Sequence, residues 1–114
     1  MTTRARDFDT LVLEAADRLS LALGSRFADT EFAVEEVPPL DPLPWEESIT
    51  LGRLFPPHGR IPARIVLYRR PIESRGLDES ERAALIADVV AEHVAALLGV
   101  GPEDLPPMSG HDAR

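Results

Sequence analysis

Apolar residues fall into two stretches with helical spacing, one towards each end, and three shorter blocks between them. In the first stretch Phe8, Leu11, Val12, Ala15, Leu19 and Leu23 recur every three or four residues, the spacing of one helix face. Asp7 is placed to cap this helix and Gly24 to end it in a left-handed turn, with Glu14, Asp17 and Arg18 outward. Glu31–Val37 alternates as a strand does and stops at Pro38 and Pro39. Ile49–Phe55 predicts a second strand, in which Gly52 marks a bulge or something pressed close to the backbone. Arg64–Tyr68 is the most apolar of the three and is expected at the centre of the sheet.

The second helical stretch, Ala83–Gly99, organises the rest. Asp88 and Glu92 are its only charged residues and share one stripe of the helical wheel; His93 lies about 100° round from Glu92. Everything else on that wheel is small or aliphatic. Such a helix is expected to be buried and central, its few polar groups facing a cleft or a partner inside the fold. Asp78 and Glu81 form a capping box at its start, and Gly99 ends it. The pattern predicts an α+β fold in one domain over residues 1–114, with an ordered core from about 7 to 105. Its parts are an N-terminal helix, a three-stranded or slightly larger sheet, and a long buried C-terminal helix. Residues 1–6 and 106–114 are expected to be flexible.

The connections add less. Leu40–Glu47 holds the only Trp, which either anchors the loop to the core or stacks on a ligand. His58 sits between Pro57 and Gly59 in a turn, where an imidazole is usually just solvated. Arg69, Arg70 and Arg75 surround the short segment Pro71–Ser74; ion pairs with neighbouring carboxylates or an anion site would both use them.

Charge narrows the function classes. The formal charge is −8, so a nucleic-acid backbone or an anionic membrane would repel the chain as a whole. With no Cys there is no disulfide, no thiolate nucleophile and no thiolate metal ligand. The N-terminus lacks the apolar core of a signal peptide, and the apolar runs are far short of the roughly 20 residues that span a bilayer. A soluble cytoplasmic protein is the expectation, of unspecified oligomeric state.

The order helix, strand, strand, strand, long helix carries four segments in sequence: VEEVPP at 34–39, LGRLFP at 51–56, ARIVLYRRPIE at 63–73 and VVAEHVAALLGVGPEDL at 89–105. Together they resemble the small zincin-like metallopeptidase family of bacteria, the mini-zincins, over roughly Phe8 to Leu105. The resemblance implies a zincin-like fold, whose long helix carries H-E-x-x-H-x-x-G-x-x-D. Two His four residues apart share a helix face and bind one zinc ion, and the Glu beside the first acts as general base. The Gly turns the chain so that the Asp can serve as third ligand.

Aligned on Gly99, the first His position holds Glu92, the Glu position His93, the second His position Ala96 and the Asp position Pro102. Ala and Pro side chains carry no donor atom, so the resemblance implies a degenerate motif, no metal or other cofactor and no catalytic residue. A rerouted site would have to draw on Asp88, Glu92 and His93 with His58 or His111, and Glu92 and His93 diverge too far to converge on one small cation. Two readings follow from the resemblance. One is an inactive pseudoenzyme that binds an extended peptide or protein segment along Ile49–Phe55. Its groove would have Leu51, Gly52 and Arg53 on one side and Asp88, Glu92, His93 and Ala96 on the other. The other is a metal-dependent peptidase with displaced ligands around Glu92 and His93.

Overall fold

A computed structural model describes residues 3–24, 29–38 and 50–105. The expected Trp45 loop, Ile49, His111 and the C-terminal tail lie outside the described residues. Helix α1 spans Thr3–Leu23. It begins four residues before the expected Asp7 cap: nothing in Thr3–Arg6 resists helix, and Ala and Arg favour it. Gly24 then takes φ 61°, the left-handed stop. Strands β1 (Glu31–Glu35), β2 (Gly52–Phe55) and β3 (Arg64–Tyr68) follow. A short helix α2 (Arg69–Glu73) continues directly from β3, and α3 spans Glu79–Leu98. A single 3₁₀ turn, Pro102–Asp104, closes the described chain.

The sheet order is β1-β3-β2, with β3 in the middle as its apolar run predicted. β1 runs parallel to β3, Glu31 opposite Arg64, and β2 runs antiparallel to it, Gly52 opposite Leu67. β1 ends two residues before the predicted Val37, where Glu36 is drawn into contacts with α2. Side chains alternate along β3. Ile65 and Leu67 join Phe8, Val12, Leu19, Ile86, Val90 and Val94 in the core on the helix side. Val66 and Tyr68, also buried, face the other way.

Helix α3 is held at both ends as its sequence predicted. The Asp78 carboxylate accepts from the Glu81 backbone N–H at 2.8 Å, and the Glu81 side chain accepts from the Asp78 N–H at 3.0 Å. Gly99 takes φ 75° and caps the far end. Burial follows one face, through Ile86, Val89, Val90, Val94 and Ala95. Ala84, Asp88, Glu92 and Ala96 instead form an exposed stripe along the opposite flank. Among the described residues no helix is long and apolar enough to cross a membrane.

Arg69 and Arg70, directly after β3, are engaged in ion pairs. Arg69 donates to Glu36 from both Nε and Nη2 and to Glu73 Oε1 at 2.7 Å, and Arg70 Nε lies 3.4 Å from Glu36. The Arg70 N–H also donates to the Glu36 carbonyl at 3.0 Å, so the end of β1 is pinned to the start of α2. Hydrogen bonding from Arg69 holds the Glu36 carboxyl below the ordinary glutamate value, aided by the charges of Arg69 and Arg70 and opposed by partial desolvation. A carboxyl with a lowered folded-state pKa stabilises the fold above its unfolded pKa, and that contribution vanishes as pH falls through the lowered value. Glu36→Gln should therefore lower the urea midpoint most near neutral pH. Its gap to the wild type should narrow on acidification, as the pH falls through the lowered value and Glu36 becomes protonated in both states.

Candidate functional site at the edge of the sheet

Two of the predicted site residues, Gly52 and His93, meet at one contact between β2 and α3. A β-carbon placed on Gly52 would meet Val89 Cγ1 at 3.0 Å, the Val66 carbonyl oxygen at 3.0 Å and His93 Cε1 at 3.3 Å. The mid-strand glycine thus marks a close approach, and β2 pairs through it without a bulge. Its φ is not among the positive ones, so what demands glycine here is space alone.

His93 is half-buried against this strand. Its Nδ1 lies 2.8 Å from the Val89 carbonyl oxygen one turn back in the helix. A carbonyl only accepts, so Nδ1 carries the proton, and in the neutral ring Nε2 is left as an acceptor. Measured round the helix from Val89 at about 100° per residue, Ala96 lies about 20° away, Glu92 about 60° and Asp88 about 100°, all in the same sense. The exposed stripe therefore begins beside the strand and climbs away from it. Asp88 and Glu92 make no ion pair among the described residues.

β2 is an edge of the three-stranded sheet among the described residues. The Tyr68 N–H donates to the Leu51 carbonyl at 3.0 Å, which makes Leu51 and Tyr68 a hydrogen-bonded pair. Antiparallel ladders alternate, so Arg53 and Val66 are the next such pair, and the N–H and C=O groups of Gly52 and Leu54 point out of the sheet. Among the described residues neither has a backbone partner on that side. This open edge lies directly beside His93.

Other predicted positions stand apart. Arg53, opposite Val66, belongs to the sheet face turned away from α3, while Leu51 packs against the core. Gly99 faces open space at the helix end, and Pro102 is exposed at the start of the final turn. His58 is exposed in a small turn whose backbone pairs with Ile61. Among the described residues no three His, Cys, Asp or Glu come together where they could hold a metal. A hollow of about 760 Å³ lined by Ile61, Ala63, Leu97 and Leu98, with Arg60 at its side, includes none of the predicted site positions. The His93–Val89 bond had no sequence signal. The free edge did have one, in the short strand that follows a proline-rich stretch.

The contact at Gly52 sets a testable cost. Gly52→Ala should destabilise the protein by about 1–3 kcal/mol in urea unfolding, as two of the three clashing atoms lie on or near rigid backbone. A neutral outcome would mean that α3 can withdraw from the strand.

Among curated proteins no sequence matches this chain. Among protein families, the match is to the zincin-like metallopeptidases, over residues 27–111. That span takes in all three strands, α2, the whole of α3 and the final turn. A helix lying against an antiparallel edge strand is thus found in a chain that belongs to the zincin-like metallopeptidase family.

Proposed function

We propose that this chain is a non-catalytic member of its family that binds an extended segment of a partner protein along β2. The observation that carries the reading is the outward-pointing backbone of Gly52 and Leu54 beside α3. An incoming strand would satisfy these groups by main-chain hydrogen bonds, and the neighbouring helix would supply side-chain contacts.

The family's zinc is a Lewis acid that activates bound water, and such a site needs three protein donors. Aligned on Gly99, the donor positions are Glu92, Ala96 and Pro102, with His93 where the general base would stand. Ala96 is exposed beside the strand and offers only a methyl group; Pro102 offers a saturated ring. One carboxylate is left, and it points about 100° from the neighbouring imidazole. These residues do not fit the ion.

The second reading, a peptidase with displaced ligands, draws on one observation. The Nδ1 proton of His93 is held by a backbone carbonyl, the arrangement that commonly orients a metal-bound histidine. Metal uptake separates the two readings. Equilibrium dialysis of untagged protein against zinc should leave no stoichiometric ion, and the combined change Glu92→His, His93→Glu, Ala96→His, Pro102→Asp should create a tight site. Stoichiometric zinc in the wild type, with peptide hydrolysis lost on chelation and in His93→Ala, would instead establish the peptidase.

Strand addition has its own measurement. On titration with an extended peptide the amide resonances of Gly52 and Leu54 should shift, and their hydrogen exchange should slow. Candidate peptides that bind while leaving both amides unchanged would place the partner elsewhere.

A further inference from the structure

The edge strand says how a partner would attach but not which partner. Three neighbouring groups do. His93 Nε2 in the neutral ring accepts, and the carboxylates of Glu92 and Asp88 only accept. Neither carboxylate has a cation of its own among the described residues. Any polar side chain that an incoming strand turns towards α3 at this point therefore meets acceptors alone. A guest carboxylate would be repelled, and a guest amide could use only half of its capacity.

Resting on the strand-addition reading, we propose that the partner segment carries an arginine or lysine beside Gly52, its cation taken by Glu92 and Asp88. The geometry suits a long basic side chain in particular. Val89 and His93 fill the helix side of Gly52, so a guest side chain beside it must run past them to reach the stripe. Ala96, exposed and apolar, lies on the same stripe one helical turn beyond Glu92. Lys and Arg bury their methylene stems along such surfaces while the charged head reaches water or a counter-ion. The formal charge of −8 over the whole chain adds long-range attraction for a basic segment.

The test uses the ¹⁵N-labelled full chain and three blocked seven-residue peptides of alternating threonine and valine, identical except for a central Arg, Ala or Glu. The Arg peptide should bind about five-fold more tightly than the Ala peptide at low salt, the Glu peptide least, with Gly52 and Leu54 shifting in each complex. In Asp88→Asn/Glu92→Gln the Arg peptide should lose its advantage over the Ala peptide, the ratio of the two affinities falling to about one. These exposed positions carry no core contact, so the double variant should fold normally. Equal binding of all three peptides, with the two amides still shifting, would overturn the charge preference and leave strand addition standing. An absence of shifts with any peptide would remove both.

Discussion

Helix α3 can lie against the edge strand only because position 52 has no side chain. Ordinary sheet-to-helix packing interposes a layer of side chains; here Val89 and His93 reach almost to the strand backbone. That one omission brings the helix flank level with the edge and sets His93 at their junction. It also explains why the exposed stripe of α3 starts where the sheet stops. Val90 and Val94, on the other side of the helix, share the core with Ile65 and Leu67 of β3, so the helix has little freedom to rotate the stripe elsewhere.

Most of the framework was legible in the residues. The α1 face, the central place of Arg64–Tyr68, the capping box at Asp78 and the stop at Gly99 all rest on local rules of periodicity and capping, and the structure carries each of them. Gly52 was legible as a close approach, but what approached it was not, since that depends on how α3 is placed in three dimensions. Local rules misjudged two ends. α1 ran on to Thr3 because strong helix formers need no cap to extend, and β1 stopped at Glu35 because a contact 33 residues away competes for Glu36. The exposed flank of α3 was hidden for a different reason. Alanine is small enough for either environment, so an alanine-rich stretch predicted a helix buried on nearly all sides, whereas Ala84 and Ala96 lie at its surface.

Family membership and chemistry rest on different atoms. The match over residues 27–111 places the chain in its family. Reaction chemistry in such a fold would rest on a handful of donors, and replacing them need not disturb packing when they sit on a solvent-facing flank. The proposed binding role uses only what the arrangement supplies regardless of those donors, namely an open ladder and a nearby helix surface.

The parallel pairing of β1 with β3 has a consequence for how this molecule can assemble and diverge. Glu31 meets Arg64 only after the chain has travelled out to β2 and back, whereas β2 and β3 are joined by the short turn around Gly59. The β2–β3 hairpin therefore has the shorter loop to close, and β1 joins later at a greater entropic cost. Because that cost grows only with the logarithm of loop length, the segment between β1 and β2 can lengthen or shorten with little penalty. Evolution thus has its cheapest place for insertions in the stretch that leads straight into the open edge.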